Sequence, residues 1–164
     1  MLVERIGQPA LTPWQLAFGG DVLIILRRTL AAAAPDEGCA LLLGMPRRNG
    51  WLIQQVWPCC NVWRPGLAAL PERSVPAQTT RPLPSRRTRF ALDSREQLHA
   101  QRWARSRGLA VVGTAHSHPD GAAVPSATDC RWSHQPGLMV IMAADQTLRA
   151  WWMEPTPSLV QHTD

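Results

Sequence analysis

The chain has 164 residues, 45% of them hydrophobic and 18% charged, a balance that suits one globular domain and argues against a disordered or coiled-coil chain. Its formal net charge is +5 and every one of its 17 basic residues is arginine, which excludes chemistry built on a lysine Schiff base or a phosphate-loop lysine. The longest strongly apolar run, Val22–Leu26, stops at Arg27-Arg28, short of the roughly 20 residues a membrane span needs; with no secretory-signal pattern in the first residues, a cytoplasmic protein that makes no membrane contact is expected.

Thr12-Pro13 offers a helix N-cap followed by a first-turn proline, and Leu16, Leu23, Leu26 and Leu30 recur at helical spacing. This predicts a helix from about 13 to 34, ended by Pro35, in which Gly19-Gly20 allows a kink or a late start. Cys39–Gly44 is a short apolar run that reads as a buried strand, with Glu37 just before it. Trp51–Trp57 alternates loosely around Ile53 and Val56, and the intervening Pro46–Gly50 has turn chemistry, so the two strands are expected to form a hairpin.

From 64 to 89 the composition changes to five prolines and six arginines against one acid, Glu72. Such a segment favours extended chain on the surface, either a solvated insertion or a face for an acidic partner. Phe90–Leu92 reads as a strand, and Asp93 with Glu96 as a capping-box start for a helix to about Arg107, where Gly108 stops it. Leu109–Ala115 reads as an interior strand, and Leu138–Ala143 and Thr147–Trp152 as two more, joined by a turn at 144–146. Strands and helices do not alternate regularly, so the expected fold class is α+β, with a mainly antiparallel or mixed sheet flanked by helices. The stretch from Glu154 to 164 reads as a tail beyond a domain of residues 1–153.

The four cysteines, Cys39, Cys59, Cys60 and Cys130, contain no Cys-x-x-Cys pair and read as packing thiols, with metal tuning by Cys39 or Cys130 as the alternative. Positive charge permits nucleic-acid binding, yet no recognition signature accompanies it, so nucleic acid is not the expected partner.

The chemistry concentrates near the interior strand. His116 and His118 stand two apart in extended chain and point to one side, so both imidazoles can face one metal. Ser126 and Asp129, three apart, share a face if a helix starts at Ser126; they also make an ordinary capping box. Two His and one Asp suit zinc and leave a fourth position open for water. Glu37, beside the neighbouring strand, is the candidate carboxylate to manage that water's protons.

Glu37, His116-Ser117-His118, seven residues, Ser126, two residues, Asp129 together resemble the signature of the JAMM (MPN-plus) metalloproteases, and Glu37–Gly44 is similar to the glutamate-led first strand of their small bacterial members. Over about residues 12 to 153 the resemblance implies a single JAMM/MPN-like domain, zinc held by His116, His118 and Asp129, Glu37 as general acid/base, and Ser126 helping to stabilise the oxyanion. It further implies hydrolysis of an amide or isopeptide bond, with the Gly-Gly tail of a ubiquitin-like or sulfur-carrier protein as the expected substrate. A zinc hydrolase of another amide, or a non-catalytic zinc-containing interaction scaffold, is the alternative. The basic segment 64–89 departs from the compact bacterial pattern.

Overall fold

A computed structural model describes residues 1–5, 14–67 and 83–154. Its elements run β1 (Val3–Arg5), β2 (Gln15–Phe18), α1 (Val22–Ala31), β3 (Cys39–Arg47), β4 (Gly50–Cys59), α2 (Ser94–Arg105), β5 (Ala110–Ser117), α3 (Ala127–Trp132), β6 (Gly137–Met142) and β7 (Leu148–Met153). The seven strands form one mixed sheet in the order β1-β7-β6-β5-β3-β4-β2. β1–β7, β5–β6 and β2–β4 pair in parallel, whereas β3 pairs antiparallel with both β4 and β5, and β6 with β7. The α+β class with a mixed sheet is thus as expected, and the hairpin of β3 and β4 is present.

The two outer strands of this order meet. Leu2 pairs antiparallel with Gln15, Val3 N–H donates to the Trp14 carbonyl at 2.9 Å, and Leu16 N–H donates to the Met1 carbonyl at 2.8 Å. The sheet therefore curls on itself, which leaves little free edge. On its concave side Val22, Leu26 and Leu30 of α1 pack against Leu42, Ile53, Leu138 and Val140. The same curl brings Trp51 of β4 and Trp152 of β7 into a stack at 5.3 Å, with Trp14 edge-on to both at 4.9 and 4.8 Å. The convex side carries two smaller clusters: Leu41 and Leu43 under Ala100 and Ala104 of α2, and Met139, Ile141 and Trp151 with Ala123 and Cys130 towards α3.

The helix expected over 13–34 is corrected to two elements. Gln15–Phe18 is strand β2, laddered in parallel onto Gly50–Ile53 with Leu16 buried, and α1 begins only at Val22, after the Gly19-Gly20 break; residue 13 lies outside the described residues. Tertiary pairing with β4 overrides helical spacing there. Phe90–Leu92 is not a strand; its backbone is held instead by single bonds to residues 61 and 62, with Ala91 N–H donating to Asn61 Oδ1 and Val62 N–H donating to the Ala91 carbonyl. α2 has the expected N-cap, Asp93 accepting from Arg95 N–H at 2.8 Å, but Glu96 turns away to accept from Trp57 Nε1 at 2.9 Å, so no capping box closes. Gly108 follows α2 with φ +67°, the left-handed conformation that ends a helix. Of the basic segment, 68–82 lies outside the described residues, as does the tail from 155. Among the described residues no helix is long and apolar enough to cross a membrane.

Candidate metal centre

β5 is the fourth of seven strands, so its C-terminal end lies at the middle of the sheet. His116, paired across the ladder with Cys39, faces the convex side and is fully buried. The Phe90 ring covers it at 4.4 Å, with 22° between the planes. Ser117 points the other way: its Oγ accepts from Gly38 N–H at 2.8 Å, and its own N–H donates to the Gly38 carbonyl at 2.9 Å. These two hydrogen bonds tie the end of β5 to the chain beside Glu37. A Cβ at position 38 would sit 2.4 Å from the Leu30 carbonyl oxygen, so only glycine lets α1 approach this closely.

His118 lies just past the strand and is anchored by its N–H donating to the Met142 carbonyl at 2.8 Å. Its Nδ1 meets the Ala122 carbonyl at 2.9 Å, a contact in which Nδ1–H donates. That fixes the tautomer and turns a bare Nε2 inwards. The two Nε2 atoms are 3.0 Å apart, and Asp129 brings Oδ1 to 3.5 Å from His116 Nε2 and Oδ2 to 3.5 Å from His118 Nε2.

Asp129 is carried by α3, capped as the sequence suggests. Ser126 N–H donates to Asp129 Oδ2 at 2.7 Å and Asp129 N–H donates to Ser126 Oγ at 3.1 Å, so the capping box and the juxtaposition with the histidines exist together. The three ligand-type atoms lie within 4.8 Å of one another. Two imidazole nitrogens and one carboxylate oxygen converging from a central strand and a helix suit a tetrahedral divalent metal. His116 Nδ1 has no hydrogen-bond partner among the described residues; were Nε2 to ligate a cation, Nδ1 would carry the proton.

The local electrostatics follow from burial and this pairing. Burial pushes the His116 pKa down. For Asp129, burial opposes the charge, but the contacts with His116 and His118 outweigh it and hold the carboxyl far below its usual range. For His118, burial is likewise outweighed, by Asp129 and the Ala122 carbonyl, and its pKa is raised.

Glu37 is buried, and burial pushes its carboxyl up to about 8, with His118 and Arg89 pulling downwards and Asp129 adding to the rise. It lines a cleft of about 530 Å³ together with Ser126, Asp129 and Arg89, and with apolar walls that include Phe90, Leu92, Trp132 and Met153. All five residues singled out in the sequence thus gather at one end of β5. Sequence reasoning missed Phe90, taken there as a strand residue, and Asn61, whose Nδ2 donates to the Glu37 carbonyl at 3.1 Å. Neither stands in a pattern that marks it.

Cys39 is buried, its Sγ directed at the Cys59 carbonyl at 3.5 Å, and burial pushes its thiol up to about 12. Cys39 is not among the residues that converge with His116, His118 and Asp129. Cys130 packs against the cluster of Ala123 and Met139.

Residues 21–154 match the prokaryotic homologs of the JAB domain. Solved structures are similar over most of the chain. A protein from Desulfitobacterium hafniense is 23% identical with a TM-score of 0.65, the match covering 85% of each chain. One from Salinibacter ruber is 28% identical with a TM-score of 0.52, covering 87% of this chain and 93% of its own. A JAB1/MPN domain protein from Archaeoglobus fulgidus is 15% identical with a TM-score of 0.47, covering 87% of this chain and 97% of its own. No curated protein matches the sequence.

Proposed function

The chain belongs to the prokaryotic homologs of the JAB domain, and on that premise we propose that it is a zinc-dependent peptidase that hydrolyses an amide or isopeptide bond. The observation that carries this reading is the convergence of His116, His118 and Asp129 within 4.8 Å at the cleft that Glu37 lines. A scaffold has no need of a buried carboxylate with a raised pKa beside such a cluster.

His116 Nε2, His118 Nε2 and a carboxylate oxygen of Asp129 would hold the zinc. Bound there, zinc supplies Lewis-acid polarisation of the scissile carbonyl and brings the pKa of a coordinated water to about 7. Glu37 takes the proton from the attacking water as the new C–O bond forms, and passes it to the nitrogen as the C–N bond breaks, so the products are a carboxylic acid and a free amine. In the metal-free chain burial raises the Glu37 carboxyl to about 8; a cation held by His116, His118 and Asp129 would lower it and favour the carboxylate that accepts the proton. Ser126 Oγ already accepts from Asp129 N–H, so its own hydrogen is free to donate to the oxyanion. Phe90, Leu92 and Trp132 make the cleft walls dry, which strengthens each of these interactions.

The proposed substrate is the Gly-Gly tail of a ubiquitin-like or sulfur-carrier protein, whose lack of side chains lets it reach a buried centre. The arginines of 64–89 are proposed to meet an acidic face of that carrier. The test is mass spectrometry of a carrier bearing extra residues after its Gly-Gly, incubated with the zinc-loaded wild type or with Glu37→Gln. Cleavage after the second glycine by the wild type alone supports the reading; cleavage by both proteins, or by neither, rejects it for this substrate.

A further inference from the structure

We infer that Asn61 is a positioning residue for the proposed hydrolysis, its side-chain amide fastening the backbone of Glu37 to the 86–91 wall of the cleft. The inference rests on the reading of Glu37 as the proton carrier. Asn61 lies two residues beyond the end of β4, in chain without regular structure. Its Nδ2 donates to the Glu37 carbonyl at 3.1 Å and to the Arg89 carbonyl at 2.9 Å, with a longer contact to the Arg86 carbonyl at 3.4 Å. Its Oδ1 accepts from Trp63 N–H at 3.0 Å and from Ala91 N–H at 3.2 Å. Two amide hydrogens and two lone pairs are all that an asparagine has to offer, and here every one is used on backbone.

These bonds join three pieces of chain that are distant in sequence. The Arg86 carbonyl that Nδ2 approaches also accepts from Glu37 N–H at 2.8 Å, so the Glu37 backbone is held on both sides. Arg89 and Ala91, both bonded to Asn61, flank Phe90, the ring that covers His116. One side chain therefore sets the place of Glu37 and of the ring over His116. Aspartate at 61 keeps the two acceptor contacts but sets oxygen against the carbonyls of Glu37 and Arg89, while alanine removes all of them. Either change leaves backbone groups without partners and lets Glu37 shift, and a displacement of about 1 Å costs on the order of a hundredfold in rate.

The experiment compares wild type, Asn61→Ala and Asn61→Asp in zinc content, in steady-state cleavage of the Gly-Gly-extended carrier well below each unfolding temperature, and in backbone hydrogen exchange. The expected result is one zinc per chain in every protein and kcat lowered about 10- to 100-fold with KM within about threefold. Exchange should quicken tenfold or more at Glu37 and across 83–92, with β5 and β6 unchanged. Unchanged exchange at Glu37, or a loss confined to KM, overturns the inference. If Asn61→Ala does not fold, Asn61→Asp carries the same comparison. If the wild type cleaves no carrier, the proposed substrate is rejected on its own account, and the exchange data still decide for or against the hold on Glu37.

Discussion

Ser126 and Asp129 hold each other twice, Ser126 N–H donating to Asp129 Oδ2 at 2.7 Å and Asp129 N–H donating to Ser126 Oγ at 3.1 Å. The carboxylate of the proposed ligand set therefore also closes the capping box at the head of α3, and substitutions can separate the two roles. Asparagine at 129 keeps an oxygen for the Ser126 N–H but not the charge; alanine keeps neither. Asp129→Asn should abolish zinc binding while leaving the unfolding temperature within a few degrees of the metal-free wild type. Asp129→Ala should lose zinc and about 1 kcal/mol besides, because the Ser126 N–H loses its partner while Ser126 Oγ keeps the residue-129 N–H. Metal analysis and thermal unfolding check both.

Ser126 caps α3 and is proposed to stabilise the oxyanion as well. Ser126→Ala is expected to lower kcat on the order of a hundredfold and stability by about 1 kcal/mol, whereas Ser126→Thr, which keeps the hydroxyl, recovers most of both. Equal kcat values for the alanine and threonine variants would remove Ser126 from the chemistry.

Stability of the metal-free chain should fall as pH rises through the window of Glu37. Unfolded, this carboxyl titrates near 4.5; folded, near 8. Between those values the folded chain holds a proton that the unfolded chain has released, so the slope of unfolding free energy against pH is negative. Asp129 has the opposite sign, but its folded pKa is depressed, so its contribution is lost only on acidification below the usual carboxylate range. His116 and His118 shift in opposite directions within the Glu37 window, so wild type must be compared with Glu37→Gln. The Gln variant should be the more stable at pH 8 and close to wild type at pH 5, as read from unfolding temperatures in chelator. Parallel curves would mean that Glu37 is not held protonated.

Phe90 lies over His116 at 4.4 Å, and the cover is what seals the imidazole from water. Phe90→Ala should cost about 1–2 kcal/mol, as befits a half-buried ring, and should weaken retention of zinc against chelator more than Phe90→Leu does. Chelator competition followed over time tests this.

The basic segment makes a separate claim. Replacing Arg73, Arg81 and Arg87 with Gln should raise KM for an acidic carrier and flatten its salt dependence without altering kcat. Unchanged KM at low salt would leave the segment without a role in recognition.

The grouping of His116, His118 and Asp129 was legible in the sequence because extended chain and a helix start have fixed periods. His-x-His puts two rings on one side of β5, and Ser-x-x-Asp puts a carboxylate at the head of α3. β3, β4, β6 and β7 were legible for the same reason, as apolar runs bounded by turn residues. β2 was not, since Leu16 has the spacing of a helix and only its ladder with Gly50–Ile53, far along the chain, makes it a strand. The segment 86–91 beside the cleft was hidden too: it has no periodicity, and its backbone is hydrogen-bonded to an asparagine 25 to 30 residues earlier. Local pattern reports what a segment can do alone, and these segments are shaped by partners that the pattern does not contain.

The measurement that bears most directly on the account is zinc stoichiometry by native mass spectrometry, on wild type, Glu37→Gln and Asp129→Asn prepared identically. One zinc per chain in the first two and none in the third is the predicted result, since the account makes Glu37 a proton carrier that does not ligate and Asp129 the third ligand. Wild type without zinc after loading, or Asp129→Asn retaining it as firmly as wild type, would contradict the metal centre and the peptidase reading built on it.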